Sequence, residues 1–318
     1  MYAVYVVLEV LIAVISILGN VLVCWAVRIN RGLMGTTFFF ILSLAVADVA
    51  VGVLCIPLAI VISTELQVGF YSCLFMSCAL LVLTQSSILS LLAIAVDRYL
   101  RVKIPTRYRI IVTQKRAWIA IGICWLGSIL IGLTPVFGWN NRSSEEWRNF
   151  THRKCRFLEV VRMDYMVYLH FFVGLLTPLV ITFGLYAEVF WIIRKQQNKM
   201  VTNATDSTRY FKKELKLAKS LTLILCLFAT CWLPIQIVNC ISYFYSQHID
   251  LKIPTFIGIL LSHANSAVNP VIYAWKIKKF RVSFHQIWNQ YFRCKNDSFN
   301  TDNSDGQSKK ESNLSSSV

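Results

Sequence analysis

Charge is scarce in this chain. Only 15% of its 318 residues are charged and just 16 are acidic, against 56% hydrophobic. A soluble domain carries about 25% charged residues, so this composition excludes one. No basic leader precedes the first apolar run, which reads as a membrane span rather than a cleavable signal peptide. Only a few residues then remain for an outer N-terminus, too few for a large ligand-binding ectodomain. Neither an internal repeat nor a continuous polar path is visible, which argues against a transporter or channel. With no nucleophile–base pair and no His/Asp metal cluster, an enzyme is not expected.

What the chain does have is seven strongly apolar stretches, near 5–28, 36–62, 70–100, 117–138, 165–193, 217–244 and 253–275. A bilayer core of about 30 Å needs roughly 20 helical residues. A transmembrane barrel would instead show repeated alternating segments of about ten residues. The expected fold is therefore an all-α membrane protein: a seven-transmembrane helix bundle with a short amphipathic eighth helix. Basic residues gather after the odd-numbered spans, among them Arg28, Arg101, Lys103, Arg194, Lys195, Lys212, Lys213 and Lys216. By the positive-inside rule those segments are cytoplasmic and the N-terminus is outside. The net charge of +16 then reflects topology and attraction to anionic membrane lipids, with no nucleic-acid partner implied. Residues 1–294 read as the bundle with its membrane-surface helix, and the Ser/Asn/Asp/Lys-rich residues 295–318 as a disordered cytoplasmic tail.

Most of the ten cysteines lie within spans and read as small buried hydrophobes. Cys73, at the outer start of the third span, and Cys155, in the second outer loop, both face an oxidising compartment and form the strongest disulfide pairing. Asn141 and Asn149 head glycosylation sequons in that loop. Past Tyr273, Phe280, Phe284, Ile287, Trp288 and Tyr291 recur at helical spacing among basic residues, the pattern of a helix lying on the inner membrane surface. Cys294 ends it and is a candidate for palmitoylation.

Polar residues inside the spans carry the functional signal. An Asp at a membrane-helix centre costs about 2.5–3.5 kcal/mol, yet Asp48, Asn20, Ser87, Asn265, Asn269, Glu9 and His263 are all embedded. Asp48, Ser87, Asn265 and Asn269 offer hard oxygens that suit a small cation, or could satisfy one another through waters. At the inner end of the third span stands Asp97-Arg98-Tyr99, where the guanidinium has a neighbouring carboxylate and Glu214 within reach. Pro234 follows Cys231-Trp232-Leu233, and Pro270 follows Asn269 ahead of Tyr273. Each proline removes a helix hydrogen bond and marks a kink or pivot. Pro178 and Tyr186 repeat the theme in the fifth span.

Taken in order on seven helices, these motifs resemble the rhodopsin-like G-protein-coupled receptors over about residues 5–294. The resemblance implies a plasma-membrane receptor whose sixth helix swings outward on agonist binding to admit a G protein, with arrestin and receptor kinases as further partners. It also implies that the Asp48 cluster holds an allosteric sodium ion that favours the inactive state; no other cofactor is expected.

The third span has Leu80 and Leu81 where an amine receptor would be expected to place a pocket-facing Asp, so the pocket suits a neutral, polar, flat molecule. Four stretches narrow the resemblance to adenosine receptors: Leu89 to Val102, Leu133 to Asn140, Asp164 to Tyr168, and Ser262 to Ser266. Features of the third subtype predominate, with some of the first, and both imply coupling to the inhibitory G protein and lowered cyclic AMP. The matching positions place Asn239 on the adenine edge and Phe157 on its face. Leu81, Ile235, Met166 and Ile259 form apolar walls, Thr84, Ser262 and His263 take the ribose, Glu9 braces His263, and Trp232 is the floor. Leu158, Gln236 and His170 depart from the family pattern and bear on selectivity.

Overall fold

A computed structural model describes residues 2–30, 35–64, 67–143, 153–199, 206–245 and 251–292. Seven long helices follow one another: Tyr2–Ile29, Thr36–Ser63, Phe70–Lys103, Gln114–Leu133, Tyr165–Leu176 continuing as Thr177–Lys199, Asp206–Phe244 and Lys252–Lys276. Six of them are long and apolar enough to cross a bilayer. The seventh spans 25 residues but carries Ser262, His263, Asn265, Ser266 and Asn269, all buried toward the other helices, which lowers its overall apolarity. Helix is the favoured spanning form here because hydrocarbon offers backbone groups no other partner.

The third helix sits at the centre: 61% of its most apolar stretch is buried, against 22% for the first and fourth. The outer helices turn Leu18, Ile123, Val180 and Val271 outward, each at least 60% exposed, as a lipid-facing surface requires. Third and fourth helices approach closely at Gly132, where a Cβ would lie 2.7 Å from the Val82 backbone nitrogen. Gly138 (φ 119°) ends the short turn Thr134–Phe137 in the left-handed region that glycine tolerates.

Two features differ from expectation. The sixth helix begins at Asp206, well before the apolar run near 217, because its basic first turns extend beyond the hydrophobic stretch. Pro234 and Pro270 lie inside unbroken helices, while wide π-type turns occur at Val51–Cys55 and Tyr165–Leu176. Those turns run up to Pro57 and Pro178, whose nitrogens cannot donate, so the backbone widens ahead of them.

At one end of the bundle, Gln67–Val68 pairs antiparallel with Arg153–Lys154, next to the Cys73–Cys155 disulfide. The following helix is started by Asp164, whose Oδ1 accepts from the Tyr165 amide at 2.9 Å. Burial raises the Asp164 pKa, but hydrogen bonds from Arg162 at 3.0 and 2.7 Å, from Trp139 and from the Tyr165 amide, with the Arg162 charge, together outweigh it and the net shift is downward. At the other end, the eighth helix runs Lys278–Ile287 with Phe280 and Ile287 buried, then passes into a wide turn where Tyr291 packs on Trp25. Cys294, Asn149 and residues 295–318 lie outside the described residues.

Candidate functional site

A cavity of about 420 Å³ opens between the helices at the disulfide end. Its lining includes every residue expected there except Glu9: Asn239, Phe157, Leu81, Ile235, Met166, Ile259, Thr84, Ser262, His263 and Trp232. Glu9 lies one layer behind, fully buried, with both carboxylate oxygens 2.8–2.9 Å from His263 Nδ1. The contact ties the His263 ring to the first helix through Nδ1. Thr84 donates to the Leu80 carbonyl at 2.8 Å and Ser262 to the Ile259 carbonyl at 2.7 Å. Both hydroxyl protons are spent on their own helices, and the oxygens remain as acceptors for an incoming hydroxyl.

Leu158, His170 and Gln236 also line the cavity. Both His170 ring nitrogens, Gln236 Oε1 and Trp232 Nε1 are buried with no hydrogen-bond partner among the described residues. Chemically they are a donor at Trp232 Nε1, an acceptor at Gln236 Oε1 and one of each on the His170 ring, held just behind the cavity wall. Tyr5, Cys55 and Lys252 are further lining residues that sequence reasoning missed. They come from the first two helices and the start of the seventh, and only their burial or position at the mouth could have flagged them.

Deeper in the bundle, Asn269 Nδ2 donates to Asp48 Oδ2 at 2.8 Å, while Asp48 Oδ1 and Asn20 Oδ1 are buried with no partner among the described residues. Ser87 and Asn265 are buried on the third and seventh helices, and among the described residues Ser87 donates to its own Leu83 carbonyl, at 3.4 Å. An orphaned carboxylate oxygen with hydroxyl and amide oxygens on the facing helices is a donor set that fits a small hard cation. Asn20, whose Nδ2 ties the Ser16 and Ser266 carbonyls at 2.9 Å each, joins first and seventh helices.

The opposite end holds a charged latch. Arg98 donates through Nη1 to Glu214 Oε2 and through Nη2 to Asp97 Oδ2, both at 2.9 Å, with all three side chains nearly fully buried. Asp97 is further held by Thr36 at 3.0 Å, by Thr37, and by Tyr108 at 2.5 Å. Sequence reasoning missed these three: Tyr108 lies on a short helix, Pro105–Ile111, whose docking no periodicity reveals. Burial and the nearby Asp97 charge raise the Tyr108 pKa, keeping it a neutral donor. Tyr186 and Tyr273 are buried above the latch, Tyr273 stacked on Phe280 at 5.3 Å. Asn141, the sequon residue that is described, directs its amide nitrogen at the Leu158 and Val161 carbonyls, 3.3 and 3.5 Å away.

Seven helices among the described residues, a cavity beside the disulfide at one end and a buried Arg–carboxylate latch at the other are the architecture of a seven-helix membrane receptor. The chain belongs to the rhodopsin family of seven-transmembrane receptors, whose model matches residues 19–273. Within that family it groups with the adenosine receptors. It is 52% identical to adenosine receptor A3 of Canis lupus familiaris over 291 residues, covering 91% of this chain and 92% of the relative. The A3 receptors of Ovis aries and Bos taurus are also 52% identical, over 290 and 280 residues, covering 91% and 88% of each chain in the pair.

Proposed function

We propose that this chain is a plasma-membrane receptor for extracellular adenosine, its N-terminus outside, that signals through inhibitory G proteins to lower cyclic AMP. The observation that carries the reading is the cavity itself. Asn239 and Phe157 line it together in a chain half identical to adenosine receptors over nine-tenths of its length. The Asn239 amide donates and accepts at once, matching the exocyclic amine and N7 of adenine, as the same side chain does on DNA. Phe157, two residues from the disulfide and in the cavity wall, stacks on the purine face in this reading. The ribose hydroxyls then meet Thr84, Ser262 and His263, with Leu81, Ile235, Met166 and Ile259 as walls.

Agonist on Trp232 biases the sixth helix outward, parting Glu214 from Arg98 and admitting the G protein; Pro234, Pro270, Tyr186, Tyr273 and Tyr99 lie along that path. Sodium held by Asp48, Ser87, Asn265 and Asn269 opposes the movement. Arrestin and receptor kinases act at the same inner face, glycans occupy Asn141 and Asn149, and palmitate on Cys294 anchors the eighth helix.

The test is cyclic AMP in forskolin-treated cells expressing the chain, with adenosine added and pertussis toxin as control. A fall abolished by the toxin is the expected result. A rise overturns the coupling, and an unchanged response in Asn239→Ala overturns the purine contact.

A further inference from the structure

A second, larger cavity of about 710 Å³ opens at the latch end, a size typical of ligand sites. Nine of its lining residues are Lys or Arg, and only one, Glu214, is acidic. That single carboxylate is already engaged by Arg98 at 2.9 Å. On the sixth helix Lys213, Lys216 and Lys219 recur at three-residue spacing, which puts neighbouring members side by side on the helix surface. Across the cavity stand Lys278, Lys279 and Arg281 of the eighth helix.

A run of lysines is ordinarily a solvated face. Here the charges from different helices converge on one concavity whose walls include Phe38, Leu217, Leu223, Trp275 and Ile277. Low-dielectric walls focus the field of like charges into the space between them. The Lys279 ammonium registers this crowding: burial first, then the charges of Lys213, Arg101 and Arg98, push its pKa below the ordinary lysine value. Charges repelling one another across a cavity are relieved by an anion placed between them, and multiple close ammonium groups favour an anion with several charges over a monovalent one.

We propose that this cavity binds a compact polyanion carrying two or more phosphate groups, bridging the sixth helix to the eighth and favouring the state in which Arg98 stays paired with Glu214. Two sources supply that chemistry: the headgroup of a phosphorylated inositol lipid in the adjoining leaflet, and a soluble inositol polyphosphate. Because the bridge holds the sixth helix inward, linkage requires that the anion lower agonist affinity by the same factor by which agonist lowers anion affinity. Only this second clause rests on the adenosine reading; binding of the anion does not.

The experiment uses the purified full-length chain. Binding of inositol hexakisphosphate is measured in phosphate-free detergent buffer, and of phosphatidylinositol bisphosphate in nanodiscs, against phosphatidylcholine nanodiscs. Lys213→Gln and Lys279→Gln are compared with Lys115→Gln and Lys195→Gln, which remove the same charge at exposed positions outside the cavity. Saturable binding that each cavity variant weakens about tenfold, one charge-assisted hydrogen bond's worth, while the control variants leave it intact, is the expected result. Response to the soluble anion identifies a free ligand; response in nanodiscs alone identifies the lipid. Equal losses in cavity and control variants reveal non-specific attraction to a chain of net charge +16 and overturn the proposal, as does absence of binding in both arms. If the anion binds but adenosine affinity does not fall, the site stands and the bridging clause is wrong. If adenosine itself does not bind, the anion measurement still decides the site.

Discussion

Replacing Glu214 with glutamine isolates the latch. The substitution keeps the side chain's shape and removes the charge that meets Arg98 at 2.9 Å, in a place where the two side chains are only 7% and 3% exposed. Breaking a buried pair outright costs about 3–5 kcal/mol. The cost here is smaller, because Arg98 keeps its bond to Asp97 at 2.9 Å and the new amide oxygen still accepts from Nη1. What is lost is the charge assistance, about 1–2 kcal/mol, the difference between a charged and a neutral hydrogen bond. If the pair exists only with the sixth helix inward, that loss shifts the inward-to-outward ratio by about five- to thirtyfold. Agonist affinity in G-protein-free membranes rises toward the same factor, and basal signalling rises in cells. Competition binding on Glu214→Gln and Glu214→Asp membranes measures it, the aspartate variant retaining charge with a shorter reach. Unchanged agonist affinity and basal activity in Glu214→Gln would refute the idea that this contact is specific to one state of the sixth helix.

Asp48→Asn removes the orphaned carboxylate oxygen of the polar cluster. Agonist affinity, expected to fall when sodium replaces choline in the wild type, becomes insensitive to that exchange, read by radioligand binding. Cys155→Ser opens the loop closed across a separation of 82 residues, which by chain entropy amounts to about 4–5 kcal/mol; a lowered melting temperature and loss of ligand binding are expected in a thermal-shift and saturation assay. Gly132→Val pushes a side chain into the Val82 backbone, and reduced surface expression with lowered thermal stability checks it. Asp164→Asn tests the acid side. Because the folded pKa of Asp164 is depressed, its stabilisation is present above the ordinary Asp value and lost as pH falls through the folded one. The melting-temperature gap between wild type and variant is therefore expected at neutral pH and closes in strong acid.

Much of this was legible because membrane physics writes itself into sequence. Seven apolar runs located the seven helices, the early start of the sixth at Asp206 excepted, and the rarity of buried polar residues made Asp48, Asn269, Glu9 and His263 conspicuous. The Arg98–Glu214 pair and the Cys73–Cys155 bridge followed from charge and compartment. What stayed hidden depends on groups whose chemistry is ordinary and whose position is not. Thr36, Thr37 and Tyr108 are common residue types near a membrane edge, and only the docking of a seven-residue helix brings them onto Asp97. The wide turns before Pro57 and Pro178 were equally invisible, since a proline states which hydrogen bond is missing but not where the backbone absorbs the loss. Tyr5 and Cys55 reach the cavity from helices whose apolar pattern marks them only as core.

The disulfide has a mechanical consequence. Cys73 lies in the first turn of an unbroken 34-residue helix, and Arg98 lies 25 residues further along it, about 37 Å at the helical rise. The loop that presents Phe157 to the cavity is thus clamped to one end of a stiff rod whose other end carries the latch. A load applied by a ligand to the roof enters the rod directly, and any tilt or rotation it produces is shared with the helices packed around that central rod. A molecule that lifts the roof therefore acts first on the helix that carries Arg98, whether or not it touches the floor at Trp232.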